Sequence, residues 1–518
     1  MKSIIFVTIS PKSHRTAEEN LGIEYLASNL KKTKKYKIEI VNGWLEELDY
    51  DGIIQRVRYH KEVLAIGISS YLTDLENVFN LLKKMKENKL AEYYFAGGYG
   101  PTFSPEEYLN VGFDVVCIGE SDLIIRSLIN FFDKKAAIEK VRGICYYKDG
   151  KVVYNKQIKL LKNLDVLPFP EHTLLHILKK DRTPVHLLTS KGCNSNCIFC
   201  SISSFYKIQD LIKWRGRSIT SIIGEIEILF NKGVRSIKIV DDSFIEEPRN
   251  ENWCKEFADK LLQKNIKMSF RASIKANKVN DKIIYELKRA GFISFSCGIE
   301  NGSATALKRM GKVATIKDNE NALSILKKYG MYVQAGFILF DYATTLQELK
   351  ENYKFLKKYN FVILKGIFTE MYAAKGTNYS ELLLRKKLVT KENKLNYDYE
   401  LINQEAKIVY ECLKEWHKSH MEIYDKLIDP ISAPRDLDAF GYRKFYSLFR
   451  KVNRIDLKIM KLILDEMEKN INKLDLEIII KKNIKKYSYF FHKINDKLDK
   501  LYNENKIKYI AFQNPFIS

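Results

Sequence analysis

Proline and glycine are both scarce in this 518-residue chain, at 10 and 24 residues. That shortage excludes collagen-like and low-complexity disordered classes. Cysteine is thin as well, with 8 in all, and three of these fall within residues 193–200. The pattern excludes a disulfide framework and suits a reducing compartment in which thiols serve as metal ligands. Long apolar runs are missing too. Ile4–Val7 and Ile478–Ile480 are far shorter than the about 18 residues that a membrane-spanning helix needs. The opening Met1–Ser10 reads as a first strand, not a signal peptide, so the expected location is cytoplasmic. No repeat of fixed short period is present. What remains is an ordinary globular composition, 46% hydrophobic and 29% charged, long enough for two to four domains.

The formal net charge is +23, and it is spread unevenly. Residues 1–150 carry 21 basic and 21 acidic side chains, residues 151–390 carry 41 and 23, and residues 391–518 carry 25 and 20. The excess lies in the middle. A lysine-rich composition that merely solvates helix faces explains it, and so does an acidic partner.

Short β-branched runs alternate with amphipathic stretches through the first third. Ile4–Thr8, Lys37–Val41, Val63–Ser69, Tyr93–Ala96 and Val115–Ile118 read as strands, with helices over 21–31, 74–86 and 121–132. This is the pattern of a parallel doubly wound sheet. Ser69-Ser70, Gly97-Gly98 and Gly119-Glu120 follow strand ends, where such sheets bind ligands. Gly143–Asn155 reads as a hairpin turning at Asp149-Gly150, and Leu161–Glu171, with Pro168 and Pro170, reads as a linker. Six further strands are expected at Val185–Thr189, Ser236–Val240, Lys267–Ala272, Ile293–Ile299, Tyr332–Leu339 and Val362–Thr369, separated by helices such as 219–231, 281–290 and 345–358. Six βα units make a partial barrel. The expected division is 1–140 doubly wound, 141–183 hairpin and linker, 184–390 partial barrel and 391–518 helical. Phe440, Tyr442, Phe445 and Tyr446 in the helical part either line a substrate entrance or form core.

The chemistry concentrates in Cys193-Asn194-Ser195-Asn196-Cys197-Ile198-Phe199-Cys200, just after the first barrel strand. A structural zinc site takes four protein ligands, but the next cysteine is Cys254 and His186 sits inside the preceding strand. Three thiolates on an iron–sulfur cubane leave one iron open to a small chelating ligand.

This CxxxCxxC loop resembles that of the radical SAM superfamily, including the aromatic residue, Phe199, before the last cysteine. The resemblance extends through Arg215-Gly216-Arg217-Ser218, Val240-Asp241-Asp242-Ser243-Phe244, Gly298-Ile299-Glu300-Asn301-Gly302-Ser303 and Gly336–Phe340. It implies a [4Fe–4S] cluster on Cys193, Cys197 and Cys200. S-adenosylmethionine (SAM) would bind the fourth iron and be cleaved to a 5′-deoxyadenosyl radical. Arg271, Ser273 and Glu300 at strand ends would contact SAM, and Asp241 and Asp242 would hold SAM or substrate.

Residues 21–27, Gly67–Ser70, Ala96–Thr102 and Asp114–Glu120 look like the B12-binding domain that precedes this barrel in cobalamin-dependent members. Ser69, Ser70, Gly97, Gly98, Gly119 and Glu120 would then hold cobalamin. The DxHxxG motif is absent, since His14 and His60 stand in other contexts, and Gly100 replaces the histidine that relatives carry after Gly-Gly. Cobalamin is therefore expected without a protein histidine ligand. The fold class implied is α/β: an N-terminal flavodoxin- or Rossmann-like B12-binding domain, a partial (β/α)6 TIM-type radical SAM barrel and a C-terminal helical region. Its activity would be cobalamin-dependent methylation of an unactivated carbon on a small-molecule, lipid or peptide substrate, with flavodoxin or ferredoxin as reductant. A radical rearrangement or cyclisation without methyl transfer is the alternative. tRNA methylthiolation fits poorly, because Cys117 and Cys145 are the only thiols in the first domain. A basic nucleic-acid-binding zinc protein would rest only on charge and three cysteines.

Overall fold

The computed structural model describes residues 1–9, 19–71, 75–157, 159–208, 214–432, 439–469 and 471–507. His14 lies outside them. The strands of the first module are β1 (Ser3–Thr8), β2 (Lys37–Asn42), β3 (Val63–Ser69), β4 (Tyr93–Gly97), β5 (Val115–Cys117), β6 (Ile144–Lys148) and β7 (Lys151–Tyr154), joined in one sheet of order β2-β1-β3-β4-β5-β6-β7. The first five are parallel. β1 is buried on both faces, as a central strand between helix layers must be. Two apolar clusters flank the sheet, one around Ile5, Val7 and Ile66, the other around Ile4, Phe6 and Phe132. The expected hairpin forms and turns at Asp149-Gly150, and its first strand pairs antiparallel with β5. Helix Leu21–Lys31 begins where the Asn20 side chain accepts the Ile23 amide. Helix Ile125–Phe132 starts four residues later than periodicity predicts, because Ser121–Ile124 is spent in a turn.

The second sheet is parallel, with order β14-β13-β12-β11-β8, where β8 is Val185–Leu187, β11 Ser236–Ile239, β12 Ser269–Lys275, β13 Phe292–Glu300 and β14 Tyr332–Phe337. Between β8 and β11, β9 (Ser190–Gly192) and β10 (Trp214–Gly216) form a separate antiparallel pair. The sixth expected strand, 362–369, lies beside β14 but is tied to it and its extension only at Gln334–Ile363 and Phe340–Glu370. Bends at 362, 365 and 367 and the positive φ of Gly366, +92°, keep the segment from running as a regular strand. The helices expected over 219–231, 281–290 and 345–358 are Ile219–Asn231, Asp281–Arg289 and Leu346–Lys358, the last opened by a Thr345/Glu348 capping box.

Beyond residue 388 the pattern is not purely helical. A small hairpin, Val389–Glu392 with Tyr397–Tyr399, comes first, and helices Gln404–Lys418, Met421–Ser432, Ala439–Glu468 and Lys473–Glu504 follow. These helices share one continuous core with the barrel, through Trp416, Tyr424, Phe449 and Ile463. The aromatic run belongs to that core. Tyr442 is buried and stacks on Tyr332, Phe445 is buried against Tyr502, and the Tyr446 hydroxyl donates to the Phe361 carbonyl at 2.6 Å. The Phe440 side chain is outside the described atoms. No helix among the described residues is long and apolar enough to cross a membrane.

Candidate functional site

Cys193, Cys197 and Cys200 occupy the loop between β9 and helix Ser201–Lys207. The loop is pinned at its middle: the Ile198 amide donates to the Met310 carbonyl at 3.1 Å, and the Ile198 carbonyl accepts from the Tyr379 amide at 2.9 Å. Burial pushes all three thiols above the ordinary cysteine range, Cys200 to about 12. Two cations oppose that effect, Lys275 at Cys193 and Lys312 at Cys197. Lys275 Nζ stands 2.5 Å from the Glu246 carboxylate, which lies 3.7 Å from Cys193 Sγ. Among the described residues no three His, Cys, Asp or Glu groups already stand at metal-holding spacing. A cluster bound here would take each thiolate on a different iron and displace the thiol protons. The donor set of three soft thiols on a partly buried loop fits an iron–sulfur cluster.

The barrel residues named from sequence divide into two groups. Asp241 is buried and takes the Thr189 amide at 2.7 Å, the Ser190 hydroxyl at 2.6 Å and Arg249 at 3.4 Å, so it locks β8 to β11. Asp242 instead borders a cavity, accepting the Gly192 amide at 2.9 Å and the Tyr206 hydroxyl at 3.4 Å. Burial raises its carboxyl to about 6, with the Asp241 charge adding to the effect. Arg271, Ser273 and Lys275 alternate along β12 and so share one face. Arg271 donates to Gln334 at 2.7 Å. Ser273 lies level with Ser296 on β13. Glu300 ends β13 at an irregularity in its pairing with β14, with φ +64°. A Cβ at Gly298 or Gly336 would sit 2.9 Å from its carboxylate oxygens, so the two missing side chains make its berth. Lys312 faces it at 3.4 Å.

The residues named in the first module gather around two neighbouring cavities, of about 290 and 380 Å³, at the carboxyl ends of β1, β3, β4 and β5. Ser69, Gly97, Gly98, Gly119 and Glu120 border the first, and Ser69, Ser70 and Gly98 the second. Gly98 has φ +105°, and a Cβ there would lie 2.7 Å from the Ser70 carbonyl oxygen. Ser70 and Tyr108 join their hydroxyls at 2.5 Å, and the Gly119 amide donates to Thr102 Oγ1 at 3.0 Å. Glu120 is engaged by the second module, binding both ends of the Arg215 guanidinium at 2.6 and 3.0 Å. Lys191 adds a 2.6 Å pair with Asp122. The first cavity is apolar within, between Phe6, Ile23, Phe95 and Ile125, and Asp242, Lys191 and Tyr206 close it from the barrel side. Its described lining holds no histidine, whereas His186 borders the second. An apolar slot with a glycine-rich rim suits the insertion of a large flat cofactor's tail.

Sequence reasoning missed Lys275, Lys312, Glu246 and Tyr206, and gave Lys191, which opens the thiol motif, no role. Period-two alternation from Arg271 reaches Lys275. Nothing local marks Lys312, which sits in a turn after helix Ala304–Arg309.

A thiol loop on a parallel barrel, facing a doubly wound module across a shared cavity, defines an α/β enzyme that handles two cofactors. Comparison with known proteins is specific about which. The Radical SAM superfamily model matches residues 187–356 and the B12 binding domain model matches residues 14–129. The chain belongs to the radical SAM superfamily, in the group that carries an N-terminal B12-binding domain. Curated relatives include an uncharacterised methyltransferase of Pyrococcus horikoshii, 29% identical over 65% of this chain and 73% of its own length. Another is the 4′-phospho-dehydrooxetanocin synthase of Priestia megaterium, 25% identical over 65% of this chain and 48% of that protein. Among solved structures, the cobalamin-dependent S-adenosylmethionine radical enzyme OxsB with aqua-cobalamin and S-adenosylmethionine bound superposes with a TM-score of 0.78 at 20% identity, covering 99% of this chain and 82% of that one.

Proposed function

We propose that this radical SAM enzyme is a cobalamin-dependent methyltransferase acting on an unactivated carbon of a biosynthetic substrate. The observation that carries the reading is the 290 Å³ cavity, whose walls come from the strand ends of one module and from Asp242, Lys191 and Tyr206 of the other. When bound, the cluster supplies the electron that cleaves SAM, and the corrin carries the methyl group. Cys193, Cys197 and Cys200 would hold the cluster. Glu300, in its glycine berth beside Lys312, would receive the amino group of SAM, and Arg271 and Ser273 on one face of β12 would contact it as well. Asp242 is the aspartate of the pair that meets the cavity. Ser69, Ser70, Gly97, Gly98 and Gly119 would line the corrin, and Glu120 would hold the rim through Arg215.

The reductant would be a flavodoxin or ferredoxin in the cytoplasm, and the substrate a small molecule, lipid or peptide. Rearrangement or cyclisation is the second reading. It is favoured by relatives named a synthase and, in Rubrivivax gelatinosus, an anaerobic magnesium-protoporphyrin IX monomethyl ester cyclase.

The test is anaerobic reconstitution with iron, sulfide and hydroxocobalamin, followed by metal quantitation and electron paramagnetic resonance of the cobalt(II) form. One cobalt beside one cubane is expected. Replacing all three cysteines should abolish 5′-deoxyadenosine formation and leave cobalt retention intact. Iron without cobalt would overturn the methyltransferase reading.

A further inference from the structure

On the outside of the barrel, helix Ala439–Glu468 packs across helix Leu346–Lys358, and a groove of about 310 Å³ lies between them. Arg450, Arg454, Lys458 and Lys461 project into it, spaced four, four and three residues apart, which places them on one helix face. Lys357 meets them from the other helix, and no acidic side chain lines the groove. Nearby lysines outside it are neutralised, Lys350 by Glu468 at 2.8 Å and Lys358 by Glu320 at 2.7 Å. Inside it, Lys461 has the acidic neighbours Asp465 and Glu468, and the other four cations have no ion-pair partner at 4 Å or less among the described residues. Five like charges held together oppose one another unless an anion sits among them. The groove also has a fixed polar floor. Asn453 is 3% exposed, donates through Nδ2 to the Asn360 carbonyl at 3.2 Å, and keeps a buried Oδ1 with no hydrogen-bond partner.

Eleven residues of helix separate Arg450 from Lys461, a span of about 16 Å. That is too long for one phosphate and suits a chain of them. We propose that this groove binds a small molecule carrying a polyphosphate chain, with Asn453 Oδ1 accepting a hydrogen bond from the same ligand. The groove lies at the amino-terminal ends of the barrel strands, since Asn360 precedes the segment whose Ile363 pairs with Gln334 on β14. The thiol loop is at the opposite, carboxyl-terminal end. The groove is therefore a second site, separate from the reaction centre and independent of which radical reaction occurs there.

Calorimetric titration of the reconstituted full chain with ATP and with inorganic tripolyphosphate, in about 0.1 M salt, tests this. Saturable one-to-one binding is expected, weakened about tenfold or more by R450E/R454E, a change of about 1.4 kcal/mol or more. The milder pair R454Q/K458Q alters two exposed residues and should weaken binding severalfold with the melting temperature unchanged. Equal affinities would assign the site to the phosphate chain, and tighter ATP binding would add a grip on the nucleoside. Failure of both ligands to saturate, or affinities unchanged in both variants, would overturn the proposal. So would single-stranded RNA binding more tightly than ATP with the same dependence on Arg450 and Arg454.

Discussion

Asp242→Asn should stabilise the chain, against the usual direction for a buried polar substitution. In the folded protein this carboxyl titrates near 6 instead of 3.8, because burial and the neighbouring Asp241 disfavour its charge. A carboxyl whose folded value is raised contributes stability in acid, below about 4, and loses it as pH rises through 6. The 2.2-unit difference is worth about 3 kcal/mol at most by pH 8. Because Asp242 borders a cavity and is only partly shielded from solvent, that figure is an upper value. The Gly192 amide and the Tyr206 hydroxyl both donate to one carboxylate oxygen, Oδ2, so an asparagine with its carbonyl oxygen in that place accepts both. For the barrel and C-terminal helices together, which share one core, the melting temperature should rise by up to about 4–5 °C at pH 8. Scanning calorimetry of the cofactor-free chain from pH 5 to 8 is the assay. The gap between variant and parent should open with pH. A variant no more stable than the parent at pH 8, or a gap independent of pH, would refute this account of Asp242.

Two further outcomes are expected. Glu120→Ala leaves the Arg215 guanidinium buried without its carboxylate and should destabilise the junction between modules by about 3–5 kcal/mol, read as early proteolysis between the modules; the double change with Arg215→Ala should cost less than the sum of the two. Gly98→Ala forces a side chain into a left-handed backbone and within 2.7 Å of the Ser70 carbonyl, so cobalt retained after desalting should fall several-fold while iron retention stays level.

The parallel strands of both modules were legible because a strand buried on both faces must be written in continuous apolar runs, as Ile4–Val7 is. The thiol loop and the glycine turns were legible because their chemistry is local. What escaped the sequence depends on distant partners. The sixth barrel strand has the right residues, but the segment bends repeatedly and meets its neighbour at isolated bridges. The hairpin at 389–399 is short and mostly exposed, with no apolar face to announce it. Tyr442 and Phe445 carry helical spacing whether they face a substrate or a core, and only their stacking on Tyr332 and Tyr502 decides between the two. Lys312 and Arg215 matter through Glu300 and Glu120, and no local pattern encodes those pairs.

His172 belongs to the segment between the modules, yet its ring meets Glu19 of the first at 2.9 Å and lies 3.7 Å from Glu225 of the barrel. Burial works against its charge, but the two carboxylates outweigh that and hold the imidazole near 10. It is thus a cation through the neutral range. Arg217 completes the cluster by pairing with the same Glu225. A connector fastened in this way acts as a rivet, not a hinge. Separating the two modules would mean pulling this buried cluster of charges apart.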